Sequence, residues 1–374
     1  MGDPPYRLSC VFPSDILFRM TRKLLGSERA QIRSAEQQLQ RLLPASWTLA
    51  SREEARVQDL RPDATFTLRA PDGGSATIVI EAKSDGSPAT VRRTLPQMTT
   101  LLARSGADAA IFVAPYLSPR SREFLTQAGF GYVDGTSNIR LSIEQPALFI
   151  QAQGADRDPA PVDRPLRSLR GRAAGRVVRA LLDFRPPYTL SGLAVRSETP
   201  IASVFRVVDL LQREALVERE DRGPITSVAW PDLLRRWTQD YAFLTSNATK
   251  ALLAPRGVAE VMATLAAARF DGVITGGMAA APKVAPERLL AIYVEDAEVA
   301  ARDLGLRDTE VGANVILAEP FDVVAMARYR TIDSLWFAAP TQVVADLMTG
   351  PGRWPQQAEA MLRWMEENED AWRT

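Results

Sequence analysis

A chain of 374 residues is too long for one typical domain, and its 46% hydrophobic and 24% charged residues suit a soluble protein with two or three cores. Forty-five basic side chains balance forty-five acidic ones, so any surface for nucleic acid has to come from local charge segregation. Histidine is absent, which removes Ser-His-Asp hydrolases, Cys-His proteases, HNH-type nucleases and almost every zinc-hydrolase site. Cys10 is the single cysteine, so neither an intrachain disulfide nor a thiolate metal cluster can form, and a reducing cytoplasm is expected. No signal-peptide pattern opens the chain and no apolar run is long enough to span a bilayer, so no membrane partner is expected.

In chain order, the pattern predicts a helix over 28–43, strands over 64–68 and 77–81, and a helix over 89–104. A strand over 109–114, a helix over 119–128 and strands over 131–134 and 139–143 complete the first region. This alternation predicts an α/β domain with a mixed sheet over 1–152. Within it, Pro62-Asp63 precedes one strand, a Gly73-Gly74 turn follows, and the next strand ends in Ile78-Val79-Ile80-Glu81-Ala82-Lys83. Side chains alternate along a strand, so Glu81 and Lys83 share one face while Ile78, Ile80 and Ala82 take the other. Asp63 and Glu81 supply the hard oxygens that Mg²⁺ prefers, and Lys83 is suited to orient a water attacking a phosphodiester.

Residues 153–169, rich in Pro, Asp and Ala, read as a linker. Arg164, Arg167, Arg170, Arg172, Arg176 and Arg179 then form a positive run that suits phosphate contact. Over 170–238 the pattern predicts helices over 177–184, 189–195 and 200–213, with Thr199 as N-cap of the last, and then two short strands around a Gly223-Pro224 turn. That is the layout of a winged helix-turn-helix. Val204, Val208 and Leu211 form the inner stripe of its second helix, leaving Ser203, Arg206 and Gln212 outward. Arg206, Arg213 and Arg222, with Arg170, Arg172 and Arg176, favour double-stranded DNA as partner, and such proteins commonly bind as homodimers.

The last region, 239–374, alternates again. A long helix over 249–269, strands over 272–275, 289–294 and 314–317, a helix over 297–304 and C-terminal helices predict a further α/β domain. Small residues at 276–281 suit close helix packing.

The Asp63 and Glu81-Ala82-Lys83 pattern, with its preceding proline, resembles the PD-(D/E)XK nuclease superfamily over roughly the first 150 residues. The resemblance implies a further acidic residue on the preceding helix, assigned to Glu36, and a helix-borne glutamine, assigned to Gln97. Phe112-Val113-Ala114-Pro115-Tyr116 and Gly131-Tyr132-Val133-Asp134-Gly135 look like a pattern of bacterial proteins that join this domain to a helix-turn-helix. Thr275-Gly276-Gly277-Met278, Gly312-Ala313-Asn314-Val315 and Ala339-Pro340-Thr341-Gln342 make the carboxyl region similar to AbiEi-type antitoxins of toxin-antitoxin systems. That likeness implies a DNA-binding transcriptional regulator with a cognate toxin or defence-system protein as partner. Gly276-Gly277 followed by Ile292-Tyr293-Val294-Glu295 also resembles a degenerate nucleotidyltransferase fold, since Ala291 and Tyr293 stand where paired acids are needed.

Two functions follow from these residues. One is a transcriptional regulator that docks by its winged helix and carries a metal-competent nuclease-like domain. The other is a Mg²⁺-dependent DNA endonuclease delivered by that winged helix.

Overall fold

The computed structural model describes residues 14–53, 62–159, 166, 168–220, 223–268, 271–280 and 287–374. The chain divides into two units, Met1–Asp163 and Arg164–Thr374, and both are mixed α/β.

In the first unit, α1 (Ser14–Leu42) precedes a meander of β1 (Thr48–Glu53), β2 (Ala64–Arg69) and β3 (Ser75–Ala82). Then come α2 (Pro88–Ser105), β4 (Ala109–Ala114), α3 (Pro119–Gln127), β5 (Gly131–Asp134), β6 (Ile139–Ile143) and β7 (Leu148–Ala152). These strands lie in chain order in one sheet, parallel from β3 through β5 and antiparallel on either side. The crossovers α2 and α3, which parallel pairing requires, each begin with a Ser-Pro pair. Ser87 and Ser118 cap them by accepting the amides of Thr90 and Ser121, and proline at the first turn sacrifices no helical bond.

Both faces of this sheet are covered. Ile32, Ala35 and Leu39 of α1 pack with Ile78, Ile80 and Ala82, while Val79 packs with Val91 and Met98 of α2. The two-residue period of β3 then carries Glu81 and Lys83 to the α2 side. β4, sandwiched between the two layers, is buried along its whole length and is apolar throughout.

The second unit opens with α4 (Arg172–Asp183), α5 (Leu190–Arg196) and α6 (Ile201–Arg213), followed by a hairpin of β8 (Val217–Arg219) and β9 (Ile225–Val228). α7 (Trp230–Trp237) and α8 (Phe243–Ser246) lead into β10 (Ala248–Leu253), α9 (Val258–Ala268), β11 (Val273–Thr275), β12 (Leu290–Tyr293), α10 (Ala297–Asp303), β13 (Arg307–Asp308) and β14 (Val315–Glu319). β15 (Arg330–Ile332), β16 (Leu335–Phe337), α11 (Pro340–Thr349) and α12 (Trp354–Glu367) close the chain. Its sheet runs β13-β10-β14-β12-β11-β16-β15, with parallel pairing in β14/β12 and β11/β16.

The expected helix over 249–269 is instead β10 followed by α9. Pro255 and Gly257, the latter at φ +88°, break the helical run, and β10 is needed to bridge β13 and β14. The N-cap of α6 is Pro200 rather than Thr199, whose hydroxyl turns back to the carbonyl of Ser197 at 2.9 Å.

Residues 170–238 and 239–374 contribute to one continuous core, with no division near 238. The guanidinium of Arg179, 1% exposed, is inserted among the carbonyls of Val324 (2.7 Å) and Ala327 (3.3 Å), Gln342 Oε1 (2.9 Å) and Asp183 (2.9 Å). Gln342 passes the network on to Asp346, which is fully buried on α11. Asp346 accepts from Tyr241 (2.7 Å) and Gln342 (2.8 Å) on one oxygen, and from Tyr293 (2.8 Å) and Thr275 on the other. β11, β12 and the Tyr241 segment are thereby pinned to α11 through one carboxylate.

Burial pushes the Asp346 carboxyl up from 3.8 to about 6, against the pull of those hydrogen bonds. A raised folded pKa means the native state holds the proton more tightly than the unfolded chain. The resulting stabilisation is complete below 3.8 and is lost as pH rises through about 6. Urea unfolding at about pH 4 and about pH 7 is expected to show wild type losing on the order of 3 kcal/mol more than Asp346→Asn across that interval. Equal losses would contradict the assignment.

Candidate active site

Asp63 sits just before β2, clipped to the end of β3 by two hydrogen bonds. Its amide donates to the Ile80 carbonyl at 3.0 Å, and its Oδ2 accepts the Ala82 amide at 2.8 Å. Glu81, on β3, is 2% exposed. Its Oε1 accepts from Lys83 Nζ and from Gln97 Nε2 of α2, the latter at 2.9 Å. The Lys83 amide donates to Val113 at 2.9 Å, which holds the lysine in the sheet and leaves its side chain 31% exposed at the edge.

Burial raises the Glu81 pKa. The Lys83 hydrogen bond opposes it, the Asp63 charge raises it further, and the Lys83 charge and the Gln97 bond lower it. Asp63, Glu81 and Lys83 are therefore brought together, and Gln97, which the resemblance implied, joins them. Glu36 does not. Among the described residues no interaction links Glu36 to the other four, whereas Glu28 of α1 feels the charges of Asp63 and Lys83. The Glu28 pKa is raised by burial first and then by the Asp63 charge, with Lys83 opposing, so its carboxyl lies in electrostatic reach of both. Glu28 precedes Ile32, Ala35 and Leu39 by four, seven and eleven residues, on the buried stripe of α1. Glu36, half-buried like Glu28, stands about 12 Å further along the helix. Spacing from Ile32 and Leu39 admits both acids, and what separates them is their position along α1.

With all groups ionised, three carboxylates face one ammonium, an excess of two negative charges. Among the described residues no set of three acidic side chains closes into a cation cage. Such a donor set fits Mg²⁺, which is commonly held by one or two carboxylates with water and substrate phosphate completing its shell. Asp63 Oδ1 and Glu81 Oε2 accept no hydrogen bond from the described residues, so each keeps an oxygen for a cation.

The residues assigned to DNA contact fare differently. Arg176 donates to both carboxylate oxygens of Asp322, at 2.9 and 3.1 Å, and lies 3.5 Å from Glu198. Arg179 is buried as described above. Arg172 donates to the Phe321 carbonyl at 3.2 Å. Arg172, Arg176 and Arg179 recur at helical spacing and turn toward 321–327; Arg179 is buried there and Arg176 half-buried, while Arg172 stays exposed. Arg213 pairs with Asp209 at 3.3 Å and donates to the Leu166 carbonyl at 3.2 Å. Arg170 is 77% exposed in its side chain and 3.9 Å from Asp240. On α6, Arg206 is exposed and donates to Ser203 at 3.2 Å; Ser203 and Gln212 are half-buried. Arg222, with Arg164 and Arg167, lies outside the described residues.

In the carboxyl region, Tyr293 of β12 belongs to the Asp346 network, and Asp296 caps α10 by accepting two amides at 2.9 Å. Gly276 lies under Trp354 of α12, where a Cβ would come within 2.3 Å of the ring. The small residues there serve close packing. No family model matches the chain, and no curated protein matches it.

The raised pKa of Glu81 carries a stability prediction. Its folded state favours the neutral form, so stabilisation is present below the ordinary value of 4.5 and is lost as pH rises above it. The neutral isostere Glu81→Gln is therefore expected to melt higher than wild type at neutral pH, with the difference shrinking as pH falls toward the ordinary value of 4.5. A variant that melts lower at neutral pH would contradict this ordering of charges.

Proposed function

We propose that the protein is a DNA-binding phosphodiesterase whose first unit hydrolyses DNA with Mg²⁺ in the manner of PD-(D/E)XK nucleases. Its second unit docks on double-stranded DNA through a winged helix built from α4 to α6 and the β8/β9 hairpin. The observation that carries this reading is the buried Glu81 carboxylate, tied by Lys83 and Gln97 and flanked by the acidic Asp63 and Glu28. A buried ionic cluster of this kind is a poor core filler, and perturbed carboxylates cluster at functional sites.

Asp63 and Glu81 would hold Mg²⁺, with Glu28 in reach of a second ion, and the metal would neutralise charge on the scissile phosphate. Gln97 fixes the Glu81 side chain in one orientation. Ala82 anchors Asp63 by one oxygen, leaving the other to face the substrate. Lys83 has three ammonium protons, one of which goes to Glu81; the others are available to hold a water and a phosphate oxygen in line for attack.

A second reading is a transcriptional regulator of the AbiEi-antitoxin type. It is favoured by the three-helix and hairpin order and by the exposed Arg206 on α6. Under it the chain binds its DNA site as a homodimer in the cytoplasm, with a cognate toxin or defence-system protein as partner, and the Glu81 site is dispensable.

Incubation with plasmid DNA and Mg²⁺ or Mn²⁺ separates the two. Wild type is expected to cleave, and Glu81→Ala or Lys83→Ala to lower the rate by roughly 10²-fold or more while still retarding a duplex fragment. A wild type that leaves plasmid intact with either metal while binding duplex DNA would refute the nuclease reading in favour of the regulator.

A further inference from the structure

α2 has a charge pattern that the catalytic constellation does not use. Its sequence from Pro88 to Ser105 contains no acidic residue and three arginines, in a protein whose charges balance overall. The buried side of α2 is formed by Val91, Thr94, Met98 and Leu101. Beside it Arg93, Gln97, Thr100 and Arg104 follow at intervals of four, three and four, so they make one line along the helix, and all four are exposed. Gln97, in the middle of that line, is the residue that reaches Glu81 at 2.9 Å. Arg93 and Arg104 have no ion pair or hydrogen bond with the described residues. Several arginines of the second unit, by contrast, are ion-paired: Arg176 with Asp322, Arg213 with Asp209, Arg236 with Glu214 and Asp240.

We propose that this line is a ridge for the backbone of the nucleic-acid substrate, with Arg93 and Arg104 contacting phosphates on either side of the scissile one. The inference rests on the nuclease reading of the Glu81 site. At the rise of an α-helix, Arg93 lies about 6 Å and Arg104 about 10 Å along the axis from Gln97. The ridge therefore spans a few nucleotides on both sides of the reacting centre. Guanidinium groups suit phosphate oxygens, which they grip in pairs of hydrogen bonds. Contacts to phosphate position a strand without reading its bases, so this ridge confers sequence-indifferent grip in the first unit.

The test uses the full chain with Arg93→Ala/Arg104→Ala and the charge-conserving Arg93→Lys/Arg104→Lys. Cleavage of a mixed-sequence oligonucleotide is expected to show KM raised roughly tenfold or more in the alanine variant, with kcat lowered less than about threefold, and the lysine variant recovering most of the loss. Duplex binding is measured by anisotropy on an Arg206→Ala chain that also carries Glu81→Gln, which binds without cleaving. There, removing both arginines is expected to reduce the slope of log affinity against log salt by about 2. Unchanged KM and unchanged salt slope would overturn the ridge. So would a fall in kcat alone, since that would make the arginines supports of Glu81. Wild-type DNA binding combined with lost binding of poly-glutamate would reassign the ridge to an acidic protein partner. If wild type fails to cleave, the nuclease reading falls, and the salt slope still judges the ridge by itself.

Discussion

Burying the carboxylate of Glu81 beside a second acid is the constraint on which the first unit depends. A carboxylate taken out of water costs several kcal/mol unless it is paired and hydrogen-bonded. Here Lys83 and Gln97 answer that cost incompletely, because Asp63 and Glu28 add negative charge where more positive charge would be stabilising. The surrounding structure holds these groups against their repulsion. β3 runs between two covered faces, α2 is capped at Ser87 to bring Gln97 over the strand, and Asp63 is clipped by two backbone bonds. On the proposed reading such a cluster would receive a cation and an anionic ligand, giving up stability for chemistry.

The second unit holds a buried carboxylate of the opposite kind. Asp346 is surrounded by four neutral donors and no acid, and it is sealed from solvent. Its role is to pin α11 to β11, β12 and the Tyr241 segment, and through Gln342 and Arg179 to α4. Asp134 in the first unit is similar, accepting from the Leu117, Thr136 and Asn138 amides at 3.0, 2.8 and 3.0 Å as it closes the turn after β5. Neighbouring acids and a lysine distinguish the site from these structural carboxylates. Burial alone does not.

Much of the site was legible in the sequence because strand periodicity is rigid. Once β3 is recognised, Glu81 and Lys83 must share a face, and Val79 shows which. Asp63 followed from its place before the neighbouring strand, and Gln97 from the resemblance. Glu28 was missed because helical spacing from Ile32 and Leu39 admits Glu36 as well, and only the three-dimensional structure shows which acid lies in electrostatic reach of Asp63 and Lys83. The arginine run misled for a related reason. A count of charges does not reveal which side of a helix meets solvent, and Arg172, Arg176 and Arg179 turn toward 321–327, a partner 150 residues away in sequence that no local pattern shows. β10 was hidden in a helix-like run of Ala and Leu that Pro255 and Gly257 interrupt. The edge strand β1, partly polar and short, carries little apolar signal of its own.

The central claim is that the Glu81 cluster is short of positive charge and takes up a divalent cation. Thermal unfolding of wild type and Asp63→Asn across a Mg²⁺ titration tests it most directly, since the asparagine keeps an oxygen for the Ala82 amide and removes only the charge. A melting temperature for the first unit that rises with Mg²⁺ in wild type and stays flat in Asp63→Asn is the predicted result. Equal responses in the two proteins, or none in either, would contradict it.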